Sequence, residues 1–324
     1  SSARSENSVI VRQDLLQIAR GFLMGGADAI PGVSGGTVAL ILGIYPRLVA
    51  AISRFDLRLL GLLTGGEIRE AAVHVDFRFL FFLLVGIGAG LGGLMSTMHH
   101  LLEHEMQRTF AAFFGMIVAS CWIVGRMVGR FDGARAAGAV GGAAFAYWLV
   151  GLPLLQNPPE SALWIFLCGA VAICAMILPG ISGAFILLIL GAYHEITGIV
   201  RGLAAGEAGT EAITTLAAFA AGAVTGLLAF SKVLHALLAR HRAMTMAVLT
   251  GFMVGSLRKI WPFKADLDPS ITEFKLKQFE NQMPDLGSGE TWFTLGILIV
   301  AGAFVLGLER TSTSRGGAPT DAAS

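Results

Sequence analysis

The residues Pro31-Gly32-Val33-Ser34-Gly35-Gly36-Thr37 stand inside an apolar run that extends from Phe22 to Ala51. A near copy, Pro179-Gly180-Ile181-Ser182-Gly183-Ala184, follows 148 residues later, again within a run of membrane-spanning length. Proline removes a backbone donor and glycine permits positive φ, so a helix must stop and restart at each place. At bilayer depth the freed N–H and C=O groups are tolerated only where protein or a wet cavity covers them. Each copy therefore predicts the tip of a broken or re-entrant helix, with amides facing out from a fresh helix start. Such a start attracts anions.

The rest of the chain places these breaks in a membrane. Of 324 residues, 55% are hydrophobic and 14% charged, with 42 glycines and a mean hydropathy of +0.71. Repeated apolar runs with so little charge predict an all-α polytopic membrane protein and exclude a soluble enzyme. The net charge of +1 carries no information about partners, and no nucleic-acid partner is expected. Cys121, Cys168 and Cys174 lie in apolar runs without metal-ligand spacing, so they read as small buried hydrophobes; no metal or cofactor is expected. The start at Ser1 reads as a processed one, without the pattern of a cleaved signal peptide.

Five segments follow from composition. Residues 1–21 form an N-terminal cytoplasmic or interfacial segment, polar and frayed to about Gln13 and amphipathic from Asp14 to Met24. Residues 22–151 form a first membrane repeat: the broken segment Phe22–Ile52, a mixed-charge stretch, and spans near 77–98, 109–124 and 133–151. A connector, 152–160, holds Pro153, Pro158 and Pro159. Residues 161–309 form a second repeat: a broken segment near 163–200, then spans near 213–231, 243–257 and 292–308, the last two separated by the polar insertion Pro262–Glu290. The tail, 310–324, reads as disordered.

The duplication rests on matched positions. Pro, Gly, Ser, Gly, Leu-Ile-Leu-Gly and Tyr coincide between Ile30–Tyr45 and Leu178–Tyr193. At an offset of 136, Gly86, Gly90 and His99-x-Leu101-Leu102 match Gly222, Gly226 and His235-x-Leu237-Leu238. The paired glycines predict close helix contacts. Re-entrant breaks put Arg4, Arg12, Arg20, the Ser53–Asp76 loop, Arg126, Arg130 and Arg135 on one side, which the positive-inside rule makes cytoplasmic, with both termini. Three full spans plus one hairpin per repeat invert the second repeat relative to the first, a layout shared by many secondary transporters.

Ser34, Ser182 and Thr37 stand beside the exposed amides. A hydroxyl and several N–H groups at a helix start suit phosphate oxygens; the plainer alternative is that these residues cap the second half-helix. Asp28 is an acid in an uncharged stretch, and its counterpart Met176 is apolar. It reads either as a proton-coupling carboxylate or as a cap. Arg47 and Glu195 occupy aligned positions after the two tips, and His99 and His235 match between repeats, so these four are secondary candidates. His100 and His104 beside Glu103 and Glu105 suggest an interfacial cluster rather than a zinc site.

Gly26-Ala27-Asp28-Ala29-Ile30-Pro31-Gly32-Val33-Ser34-Gly35-Gly36-Thr37, together with Ile177-Leu178-Pro179-Gly180-Ile181-Ser182-Gly183 and Leu190-Gly191-Ala192-Tyr193, resembles the polyprenyl-phosphate transporter family. The likeness runs from about Ala19 to Leu308. It implies a multi-pass protein of the bacterial inner membrane that returns undecaprenyl phosphate from the outer to the inner leaflet, recycling the carrier lipid. If Asp28 is a coupling group, a proton or sodium ion is its partner, apart from what the resemblance implies. The family's tip residues would carry over to Asp28, Pro31, Gly32, Ser34, Gly35, Gly36, Thr37, Pro179, Gly180, Ser182 and Gly183, with Ala184 in place of the first tip's second glycine. Two other classes remain open. An undecaprenyl-pyrophosphate phosphatase would want an arginine where Gly35 stands. A small-anion channel or exchanger would place chloride between the tips.

Overall fold

The computed structural model describes residues 2–28, 34–155, 157–159, 161–207, 209–267, 277 and 279–315. Most of them are helical. The first half contains α1 (Ser2–Asp28), α2 (Gly35–Ile41), α3 (Tyr45–Ser53), α4 (Leu57–Thr64), α5 (Ile68–His74), α6 (Phe77–His104), α7 (Met106–Met127) and α8 (Gly133–Leu149). The second contains α9 (Ala162–Ile177), α10 (Gly183–Ile189), α11 (Tyr193–Ala205), α12 (Thr210–Arg240), α13 (Arg242–Ser256) and α14 (Gly289–Arg315). A 3₁₀ turn, Leu257–Ile260, leads from α13 into a two-stranded antiparallel hairpin, β1 (Lys264–Asp266) and β2 (Phe279–Asn281), with Lys264 opposite Asn281.

Among the described residues four helices can cross a membrane by length and apolarity: Phe77–Leu94 within α6, Met106–Met127, Thr210–Arg240 and Gly289–Gly307 within α14. The pairs α2–α3 and α10–α11 are apolar enough but bend sharply, by 119° and 116°. Each bend is a short turn around a glycine at positive φ, Gly43 at 70° and Gly191 at 74°, a conformation that costs a side-chain-bearing residue about 1 kcal/mol or more. The helices α2 and α10 fold back against α1 and α9. Large apolar side chains such as Leu84, Trp122, Val140 and Ile299 point outward, a surface suited to lipid and not to water. The protein is an all-α, multi-pass membrane protein.

The order of elements in the first half recurs in the second, and the packing is reciprocal. α1 lies along α6 as α9 lies along α12, while α7 pairs with α14 and α13 with α8, so two of the four long contacts join opposite halves. The glycines singled out in the sequence make the first two contacts. A Cβ on Gly86 would overlap the Ile18 carbonyl, one on Gly90 the Phe22 carbonyl, and one on Gly222 the Phe166 carbonyl. Lipid tails give apolar helices no hydrophobic reason to associate, so close backbone approach at small residues is what holds such pairs.

The structure departs from the sequence reading at the N-terminus. The stretch expected to fray, Ser1 to Gln13, is helical from Ser2, and α1 runs unbroken to Asp28. Asp14 explains part of this, because its carboxylate forms a two-pronged ion pair with Arg78 of α6 that ties the polar half of α1 down. The mixed-charge stretch 53–76 holds α4 and α5, the former capped by Asp56 accepting from the Leu59 amide. At the other end α14 continues to Arg315; residues 316–324 lie outside the described residues.

Candidate functional site

The two breaks meet. α9 ends at Ile177, Leu178 turns extended, Gly180 adopts φ 89°, and Ser182 leads into α10. A helix that ends inside the protein leaves its last carbonyls without intrahelical donors. Here the first break supplies them. The Ser34 hydroxyl donates to the Met176 carbonyl (3.3 Å), and the Tyr45 hydroxyl donates to the Ile177 carbonyl (3.0 Å). In return the Gly180 amide donates to the Thr37 hydroxyl oxygen (2.8 Å). Ser34, Thr37 and Tyr45 are all but inaccessible to solvent, so the irregular backbone of one half is covered by side chains of the other, as the bilayer requires.

Close approach explains the glycine at the heart of this junction. A Cβ on Gly36 would stand 2.8 Å from the Ile177 carbonyl oxygen, so any side chain there would push the two breaks apart. Ser34 also caps α2 by accepting from the Gly36 amide (3.1 Å). The remaining amide at that start, Gly35, donates to the Asp28 carboxylate (2.6 Å). The sequence left Asp28 open between a cap and a coupling group; its carboxylate sits where an anion would sit at the start of α2.

The second break is built differently. Met176 takes the place of Asp28, and Ser182 makes no side-chain capping bond. Phe185, the counterpart of Thr37, is buried. Residues 29–33, and with them Pro31 and Gly32, lie outside the described residues, whereas Pro179, Gly180 and Gly183 are buried at the junction.

The secondary candidates are not brought to this place. Arg47 pairs with Asp76 through two hydrogen bonds (2.6 and 3.0 Å) and lies over the Phe79 ring, with its side chain half exposed. Glu195 and His235 are exposed. The side chain of His99 is outside the described residues; His100 stacks on His104 at 4.4 Å on an exposed surface. Among the described residues no cluster of three or more His, Cys, Asp or Glu could hold a metal ion. Tyr45 belongs to the junction although it is absent from the sequence candidates. Its match with Tyr193 was visible, but nothing in one dimension showed that its hydroxyl closes the end of α9.

The model of the undecaprenyl phosphate translocase-like family matches residues 24–276, a stretch that contains both breaks, the helices between them and the first strand of the hairpin. The chain belongs to this family. Among its relatives is a polyprenyl-phosphate transporter of Vibrio cholerae serotype O1, 36% identical over 300 residues that cover 90% of this chain and 94% of the relative. A polyprenyl-phosphate transporter of Staphylococcus aureus is 29% identical over 261 residues, covering 76% of this chain and 86% of the relative. No solved structure gives a significant match. The names of the family and of both relatives describe transport, which agrees with the resemblance seen in the paired motifs.

Proposed function

We propose that the protein moves undecaprenyl phosphate, or a closely similar polyprenyl phosphate, from the outer to the inner leaflet of a bacterial inner membrane, returning the carrier lipid for reuse. The observation that carries this reading is the bonded meeting of the two breaks, in a chain whose relatives are named transporters of this lipid. A phosphate headgroup crossing the bilayer needs fixed donors at depth, and the donors cluster here. In this reading the Gly35, Gly36 and Gly183 amides and the Ser34, Thr37 and Ser182 hydroxyls receive phosphate oxygens as the breaks part. Pro31, Gly32, Pro179 and Gly180 shape the two turns. The second half is inverted relative to the first, and both termini face the cytoplasm.

Asp28 supplies the coupling. While ionised it holds the Gly35 amide and repels an incoming phosphate. A proton taken up by Asp28 removes that repulsion and weakens the bond to the amide, since a neutral carboxyl is the poorer acceptor. Proton uptake and phosphate entry are thereby linked. A chloride channel would use the same donors, and a phosphatase would need transition-state charge stabilisation in addition.

The test is reconstitution in vesicles with a leaflet-specific assay for undecaprenyl phosphate. Protein-dependent movement driven by a proton gradient is expected. Asp28→Asn keeps an acceptor for Gly35 but cannot change charge, so it should lose the gradient dependence; full, gradient-driven transport by this variant would sink the coupling role. Anion flux without lipid movement, or release of inorganic phosphate from the pyrophosphate, would replace the transport reading with a channel or an enzyme.

A further inference from the structure

The polar insertion Pro262–Glu290 begins just after the turn that carries Lys259. In the structure the turn and the insertion's first strand present two half-buried ammonium groups, Lys259 and Lys264. α13 ends against the second break, where the Ser256 side chain would be struck by any Cβ placed on Gly180. Three residues on, the Lys259 ammonium lies 3.9 Å from the centre of the Phe185 ring, on α10 itself. Lys264, on β1, donates from its ammonium to the Lys259 carbonyl and lies over the rings of Phe110 (5.0 Å) and Phe279 (5.7 Å). Phe110 belongs to α7, which packs on α2 of the first break. One cation thus touches the second break itself, and the other touches the helix that packs on the first.

Neither ammonium has a carboxylate within ion-pair distance among the described residues; the hairpin's Asp266 pairs with Lys277 instead. The hairpin holds them in place through hydrogen bonds that need no charge: the Trp261 indole donates to the Gln282 carbonyl, the Gln282 amide to the Phe263 carbonyl, and the Asn281 amide group to the Arg258 carbonyl. Two like charges gathered out of water without a counter-ion are costly. Both residues lie outside the spanning helices. Burial pushes Lys259 down to about 8, and burial with the Lys259 charge pushes Lys264 down to about 7. Ring faces offset part of that cost, but an anion offsets more, and a dianion between two ammoniums more again.

We propose that Lys259 and Lys264 form a binding site for a phosphate monoester, the headgroup of the polyprenyl phosphate. This rests on the transport reading above and adds to it the residues that first take hold of the charge, at the mouth of the second break. A compact ammonium suits a headgroup that must also be released, because it binds phosphate as a point charge and not as a bidentate clamp.

The experiment uses the purified full-length protein in detergent, with farnesyl phosphate as a short-chain probe and with farnesol and inorganic phosphate as separate arms. Wild type should bind farnesyl phosphate and not farnesol. Lys259→Gln and Lys264→Gln should each weaken binding by about tenfold or more, the usual scale for losing a charged hydrogen bond. Lys259→Arg and Lys264→Arg keep the charge and should weaken binding clearly less than the Gln variants. Acetylation of the wild-type protein by an amine-reactive ester, read by mass spectrometry, supplies a measurement that needs no variant: farnesyl phosphate should protect both lysines. Unchanged affinity in both Gln variants, or no protection of either lysine in the bound protein, overturns the assignment and leaves the transport reading standing. Protection by inorganic phosphate alone assigns the site to the free ion and overturns the headgroup. If wild type binds no farnesyl phosphate at all, the transport reading falls and this inference with it.

Discussion

Thr37→Val isolates the bond that crosses from one break to the other. Valine keeps the branched shape and nearly the volume of threonine but removes the oxygen that accepts from the Gly180 amide at 2.8 Å. Gly180 follows the end of α9, so its N–H has no helical carbonyl to turn to, and Thr37 is only 1% exposed, so water does not replace the lost acceptor. An N–H orphaned in this way costs about 1–3 kcal/mol, whereas interhelical bonds in lipid average nearer 0.6 kcal/mol, with a maximum of about 1.7. The buried setting argues for the overlap of the two, about 1–2 kcal/mol, which is a factor of about 5–30 in a local opening equilibrium. Hydrogen exchange followed by mass spectrometry reads this directly in peptides that span 178–183, where Pro179 contributes no amide. The Gly180 amide should exchange about 5- to 30-fold faster in Thr37→Val. In Thr37→Ser, which keeps the hydroxyl, it should remain close to wild type. Unchanged exchange at Gly180 in the valine variant, or equal acceleration in both, would refute the bond's role in holding the breaks together.

Gly222→Ala should disrupt the α12–α9 contact, because the new methyl meets the Phe166 carbonyl backbone; a loss of about 1–3 kcal/mol and a lower unfolding temperature in detergent are expected, and an unchanged midpoint would contradict the packing. The cap of α4 sets a pH dependence outside the membrane. The Leu59 amide, with smaller help from His74, lowers the Asp56 pKa. Stabilisation of the α4 start is therefore complete above the ordinary aspartate range and is lost as pH falls through the lowered value. Amide exchange at Leu59 should be flat from pH 7 to about 5, once corrected for intrinsic rate, and should rise only below about 4; a rise already near pH 6 would refute the role of the Asp56 cap.

Much of this fold was written in the chain. A Pro-Gly pair inside an apolar run removes a donor and frees φ at once, so Pro31-Gly32 and Pro179-Gly180 announced breaks, and the glycines matched between the halves at 86, 90, 222 and 226 announced close helix pairs. Partnership was not legible. Nothing at Met176 or Ile177 indicates that their carbonyls are met by Ser34 and Tyr45, more than 130 residues away, since an acceptor on the backbone leaves no trace in sequence. The polar N-terminus misled for a similar reason: composition shows that 1–13 can be wet, but not that the Asp14–Arg78 pair anchors the helix. Nothing in the composition around the 262–290 insertion sets Lys259 and Lys264 apart from other lysines. Their contacts with Phe185 of α10 and Phe110 of α7 do.

The exchange of partners between halves, α7 with α14 and α8 with α13, limits how such a molecule can move. A swing of one whole half against the other, as two hinged plates, would have to tear both of those seams at once. The easier cleavage planes run inside each half, between the α1–α6 and α9–α12 couples on one hand and the interlaced quartet of α7, α8, α13 and α14 on the other. Any route for cargo through this protein should therefore open along those planes, each of which parts helices that belong to the same repeat.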